Sequence, residues 1–125
     1  MDDSCVFCDL PEDRVVDENE HFIAIRDGFP VTELHSLIIS KRHVASYFDL
    51  SKQELESMNS LLASQREMLL GADPTIAGFN IGANDGAAAG QTIFHLHIHL
   101  IPRRDGDVEN PRGGVRGVIP AKQSY

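Results

Sequence analysis

The 125-residue sequence has no long hydrophobic run. Nothing in it approaches the roughly 18–20 consecutive apolar residues of a membrane-spanning helix, so no membrane partner is expected. No apolar stretch follows the acidic start Met1-Asp2-Asp3-Ser4, so a secretory signal is not read there. Internal repeats and low-complexity tracts are also missing. Basic charge is scarce: Lys and Arg number 11 against 19 Asp and Glu, a formal net charge of −8. An acidic surface repels phosphate backbones, which speaks against long nucleic acid as a partner. The expectation is a soluble, cytoplasmic protein.

What is present is an ordinary globular mix, 42% hydrophobic and 24% charged, long enough to bury a core as one domain. His21 to Arg26 is a short apolar run closed by Asp27-Gly28 and reads as a strand and turn. Leu37-Ile38-Ile39 reads as a second, buried strand. Ser51-Lys52-Gln53-Glu54 matches a capping box, in which a hydroxyl and a carboxylate each satisfy a first-turn N–H group. Leu55, Met58, Leu62, Met68 and Leu69 recur behind it at helical spacing, with Gly71 as the expected stop. Residues 76–82 read as a strand, 83–90 as a loop of small residues, and 92–102 as a further strand. The pattern predicts an α+β domain with a mainly antiparallel sheet and one long helix.

The two cysteines stand together in Cys5-Val6-Phe7-Cys8. Such a pair is either a redox dithiol or half of a zinc site. Dithiols usually follow a strand and open a helix, and no strand precedes this pair, which favours metal if two further ligands exist.

The most informative segment is His95-Leu96-His97-Ile98-His99. On a strand, period 2 puts the three imidazoles on one face and Phe94, Leu96, Ile98 and Leu100 on the other. Two chemistries compete. The face could hold a metal with an open position, or one ring could be a nucleophile oriented by its neighbours. Three ligands along one straight strand converge poorly on a single ion, which favours divided roles.

This pattern resembles the signature of the histidine triad (HIT) family of nucleotide hydrolases and transferases. Gly90-Gln91-Thr92, Ile101-Pro102-Arg103, Asp27, the stretch from His35 to His43, and Asn84-Asp85-Gly86 extend the resemblance over residues 5–104. It is nearest to the small zinc-bearing bacterial members, which also carry Cys-x-x-Cys. The resemblance implies a HIT-like fold with a short N-terminal helix over residues 1–104, with 105–125 as a basic, Gly- and Arg-containing segment of the same domain. It implies that His97 attacks the α-phosphorus of a small nucleotide and forms a covalent nucleotidyl-histidine. His99, His35 and Gln91 would complete the catalytic set. Asp27, Asn84, Gln91, Thr92, His99 and Phe7 would contact the nucleotide, and no organic cofactor is implied. Histidine at position 99, where the uridylyltransferase branch has glutamine, favours hydrolysis of a dinucleoside polyphosphate or a nucleoside phosphoramidate. Cys5, Cys8, His43 and His95 match a structural zinc set, with His95 thereby kept from catalysis. A homodimer is also implied. The alternative is a non-catalytic nucleotide-binding or sensor module on the same fold, and another is a zinc hydrolase that uses the triad itself as ligands.

Many members have Pro-Gly where this chain has Glu33-Leu34, and proline where it has Ser40. The segment 103–125 holds Arg103, Arg104, Arg112, Arg116 and Lys122 against three acidic residues. Arginine on glycine-rich backbone suits phosphate: either Arg112 or Arg116 folds back over the site, or the tail is solvated or packed and its arginines offset nearby carboxylates.

Overall fold

A computed structural model describes residues 5–125, and the acidic start at 1–4 lies outside the described residues. Five strands form one antiparallel sheet in the order β1-β2-β3-β5-β4. They are β1 (Val15–Glu18), β2 (Phe22–Arg26), β3 (Ser36–Ser40), β4 (Ile76–Gly82) and β5 (His97–Arg104), with one helix, α1 (Lys52–Ala72), between β3 and β4.

α1 starts where the capping box places it. Ser51 Oγ accepts from the Glu54 N–H at 3.1 Å, and Glu54 Oε1 accepts from the Ser51 N–H at 2.9 Å. The helix runs through Gly71 and stops at Ala72. The physical stop is Pro74, which bars the helical region to the residue before it; Asp73 accordingly has φ −142° and ψ 99°. The buried stripe is Glu54, Met58, Leu61, Gln65 and Leu69. Met68, expected in it, is exposed. Each fully buried apolar member of that stripe contributes about 1.5–3 kcal/mol.

Register assigns the two faces of the sheet. Ile38 pairs with Ile98, and both pack with Phe22, Ala24, Met58 and Leu61 under α1. Ile39 pairs with His97 and Leu37 with His99, so these histidines share the opposite face with Ile25, Leu37 and Ile39. Phe7 and Leu10 of the N-terminal segment cover part of that second face. All five residues of β3 are buried because both of its faces are covered.

Three expectations need correction. The short N-terminal helix is a single 3-10 turn, Glu12–Arg14. The strand expected from residue 92 begins at His97, and Phe94 is exposed instead of lying in the core. β1 was not foreseen: Val-Val-Asp-Glu is too short to show a period, and only its pairing with β2 makes it a strand.

Candidate active site and metal cluster

Three backbone groups decide what each imidazole can do. The first is the carbonyl of Ser40. His95 is fully buried, and its Nε2 lies 2.6 Å from that oxygen, so Nε2 carries the proton and Nδ1 keeps a lone pair. This Nδ1 is 3.3 Å from Cys5 Sγ and 3.5 Å from Cys8 Sγ. Cys8 Sγ is in turn 3.0 Å from Nδ1 of His43. Cys5, Cys8, His43 and His95 thus offer one donor atom each within 4.8 Å of one another. The edges of a tetrahedron around zinc with such ligands are roughly 3.3–3.8 Å. The donor set, its spacing and the tautomer of His95 all fit Zn²⁺. A carbonyl accepting from the far ring nitrogen is a usual way in which a metal-bound histidine is held.

The second group is the carbonyl of His95, 2.8 Å from Nδ1 of His97. Here Nδ1 carries the proton and Nε2 has the lone pair. The third is the N–H of Val31, which donates to Nδ1 of His35 at 3.0 Å. That fixes the proton of neutral His35 on Nε2, which is 2.9 Å from Nδ1 of His99. His99 therefore accepts at Nδ1 and carries its own proton on Nε2.

Asp27, His35 and His99 also sit within 4.8 Å of one another, a spacing that could suit a metal. The Val31 amide argues against it. A metal on His35 Nε2 would move that ring's proton to Nδ1, where it would face the N–H of Val31. The same bond makes the 3.5 Å approach of His35 Nε2 to Asp27 Oδ2 a contact of a neutral ring instead of an ion pair. Burial pushes the pKa of His35 down, partly opposed by Asp27. Burial, with repulsion from His97 and His35, pushes His99 down to about 4. Both rings are neutral N–H donors near pH 7. The two clusters differ in kind: one presents lone pairs to a common point, the other is a hydrogen-bonded chain.

Leu34, just before His35, has φ +72°, a region that favours glycine. The Glu33-Leu34 departure thus preserves a left-handed turn without the glycine. Contact with the Leu69, Ile76 and Leu100 group offsets the strain.

The other expected contacts divide. Asp27 faces His35, while its Oδ1 accepts from the Phe29 N–H at 2.8 Å. Asn84 and His99 line one groove of about 380 Å³. Phe7 lies edge-on to His97, ring centroids 4.9 Å apart. Thr92 is exposed. Gln91 is buried and braces the preceding loop: its Oε1 accepts from the Gly86 N–H at 2.8 Å, and its Nε2 donates to the carbonyls of Ala45 and Ile93. Its carboxamide thus engages three backbone groups.

The C-terminal segment does return to the edge of this site, but with apolar residues. Gly114, Val115, Gly117 and Val118 form the far wall of the groove that His99 lines. Arg112 and Arg116 instead stack on the ring of Tyr125, at 4.7 and 5.1 Å. Arg103 pairs with Asp107, and Arg104 with Asp73. A Cβ at Gly113, where φ is +90°, would collide with the carbonyl of Gln123, so glycine there serves close packing of the tail.

The groups missing from the sequence reading are the N–H of Val31 and the carbonyls of Ser40 and His95. They are backbone atoms and leave no residue-type signal.

Comparison with known proteins identifies the family and the fold. A family model described as HIT domain matches residues 11–106. An uncharacterized HIT-like protein of Mycoplasma genitalium is 39% identical over 104 residues, covering 80% of this chain and 73% of the relative. The crystal structure of a Zn-bound histidine triad family protein from Mycobacterium smegmatis superposes with a TM-score of 0.75 at 36% identity, covering 86% of this chain and 80% of that one. Diadenosine triphosphate hydrolase of Plasmodium falciparum superposes with a TM-score of 0.70 at 28% identity, covering 81% and 68%.

Proposed function

Because this chain belongs to the HIT domain family, we propose that it is a nucleotidyl hydrolase in which His97 is the nucleophile. The observation that carries this reading is the bond from His97 Nδ1 to the His95 carbonyl at 2.8 Å. It leaves the Nε2 lone pair of a neutral imidazole available, the form needed to attack phosphorus.

In the first step the Nε2 lone pair forms a bond to the α-phosphorus of a small nucleotide. The bond from phosphorus to the leaving group breaks, and the leaving group departs with that electron pair, as an anion from a polyphosphate or, with a proton taken from solvent, as an amine from a phosphoramidate. The positive charge that develops on the ring is shared with Nδ1–H, which donates to the His95 carbonyl. His99 donates from Nε2–H to a phosphoryl oxygen as negative charge builds. His35 holds that tautomer by donating to His99 Nδ1. In the second step water attacks phosphorus, the electron pair of the P–N bond returns to Nε2, and the water loses a proton as the nucleoside monophosphate leaves. Asp27 is assigned to the ribose hydroxyls, and Asn84, Thr92 and Phe7 to nucleotide contact.

Cys5, Cys8, His43 and His95 would hold Zn²⁺, which when bound supplies folding energy through a closed set of four ligands. The ion has no place in the two chemical steps. A homodimer across α1 and β4 is part of the same reading. β4 is a sheet edge, and beside it Tyr47, Phe48, Met58, Leu62, Ile81 and Ile98 line an apolar cleft of about 400 Å³. No helix among the described residues is long and apolar enough to cross a membrane.

Turnover of a panel containing adenosine phosphoramidate, diadenosine polyphosphates and their guanosine counterparts tests the activity. Release of nucleoside monophosphate from at least one class is expected. Binding of nucleotides with no turnover of any would instead support a sensor module. Sedimentation should give twice the 13.8 kDa chain mass, and a monomer at micromolar concentration contradicts the dimer.

A further inference from the structure

Phe7 stands in sequence between the two thiol members of the metal cluster, and in space between that cluster and His97. Its ring is edge-on to His95 at 6.1 Å and 88°, and to His97 at 4.9 Å and 69°. The segment that carries it, residues 5–10, belongs to no helix or strand. A turn bond, from the Cys8 N–H to the Cys5 carbonyl at 3.2 Å, closes the Cys-x-x-Cys loop. Apolar contact of Phe7 and Leu10 with Ile25, Leu37 and Ile39, and the approach of Cys5 and Cys8 to His95 and His43, tie it to the sheet and to the metal cluster. His95 is placed differently. It is buried and bonded to the Ser40 carbonyl, so its own carbonyl stays beside His97 whatever the thiols do. Of the groups touching His97, Phe7 is the one whose position depends on the metal cluster.

We propose that Phe7 is a positioning residue that couples metal binding at Cys5, Cys8, His43 and His95 to nucleotide binding at His97, so that each ligand tightens the other. This rests on the nucleotide reading of the triad. The physical basis is shared ordering. A metal bonded to Cys5 and Cys8 fixes both flanks of Phe7 and holds its ring as a wall against the His97 imidazole. A nucleotide seated on that wall then orders less of the chain than it would without metal. Linkage requires the converse by the same factor: bound nucleotide holds Phe7, and with it the thiols, in the metal-binding arrangement.

The test uses the full chain, with adenosine monophosphate and Zn²⁺ as probes. Calorimetry on zinc-loaded and chelator-stripped protein gives the nucleotide affinity in each state. Equilibrium competition by a chromogenic chelator gives the zinc affinity with and without nucleotide. About tenfold tighter nucleotide binding with zinc is expected, within the usual range of coupling between sites, and about the same factor on zinc affinity. Phe7→Leu, which keeps apolar bulk on Ile25 and Leu37, should reduce both factors to below about threefold; Phe7→Tyr, which keeps the ring, should retain them. The competition arm starts from folded, loaded protein, so it remains decisive if the stripped chain unfolds. Tight nucleotide binding that leaves zinc affinity unchanged overturns the coupling. An undiminished factor in Phe7→Leu overturns the role of Phe7. No nucleotide binding by loaded protein overturns the functional reading itself.

Discussion

Nδ1 of His97 lies 2.8 Å from the carbonyl oxygen of His95, and the two residues, one position apart from being neighbours, have opposite tautomers. His95 is protonated at Nε2 by its bond to Ser40 and presents Nδ1 to the thiols. His97 is protonated at Nδ1 and presents Nε2. These partners, with His35 at His99, suit the three histidines of 95–99 to the roles proposed for them: metal ligand, nucleophile and donor. The account predicts four outcomes, the last of which concerns the nucleophile itself.

The double variant Cys5→Ser with Cys8→Ser should copurify without zinc and melt at least about 10 °C lower than the parent, because a closed four-ligand site contributes folding energy. Elemental analysis and calorimetry check this. Folded variant should still turn over substrate, with KM raised more than kcat is lowered. Unchanged metal content and melting temperature would remove zinc from the account.

Stability should fall on acidification between about pH 6.5 and 4. In that window the unfolded chain binds a proton at His99 that the folded protein excludes, because burial holds the folded pKa at about 4. The stabilisation is complete above the unfolded pKa and lost as pH falls through the folded one. His35, pushed down for the same first reason, adds in the same direction. Discounted for partial exposure, the His99 contribution is about 1–2 kcal/mol. Urea melts of wild type and His99→Gln at pH 7 and pH 5 should show a shallower pH slope in the variant. Identical slopes would contradict the assignment, and the comparison cancels effects from His95 and bound metal.

Leu34 makes a backbone prediction. Its φ of +72° costs roughly 1–2 kcal/mol for any L-residue with a Cβ. Both Leu34→Gly and Leu34→Ala lose the contact with Leu69, Ile76 and Leu100. Only glycine relieves the strain, so Leu34→Gly should be more stable than Leu34→Ala by about 1 kcal/mol in denaturant unfolding. Alanine equal to or better than glycine would show that the turn is not strained.

The sequence pattern carried the parts of this structure that side chains dictate. Ser51 and Glu54 announce the start of α1 because a capping box is made of side-chain atoms. Leu37-Ile38-Ile39 announces β3 because a strand covered on both faces needs apolar residues throughout. The resemblance brought Cys5, Cys8, His43 and His95 together, and the fold does the same from three separate segments. Other features were hidden for definite reasons. Gly71 misdirected the end of α1, since Pro74 acts one residue ahead of itself through Asp73. The alternation from Phe94 to Leu100 continues through residues that are not yet strand. Leu96 still bonds to neighbouring chain on both sides, its N–H to the Val44 carbonyl and its carbonyl to the Ser40 N–H, while Phe94 is left outside. Gln91 reads as a phosphate contact by position, and its amide meets three backbone groups that only the folded loop places there. Arg112 and Arg116 of the tail, open in the sequence between the site and packing, are held by Tyr125, a pairing between positions with no sequence period to connect them.

The central claim is that His97 becomes covalently nucleotidylated, and rapid acid quench of the protein during turnover of an α-³²P-labelled adenosine substrate tests it most directly. The account predicts label on the polypeptide within the first turnover, mapped by mass spectrometry to a peptide containing His97. The label should be absent from His97→Asn, which should still bind adenosine monophosphate within a few-fold of wild type. Label retained in His97→Asn, or label lost from His99→Asn and found on no residue of the wild type but His99, would contradict it.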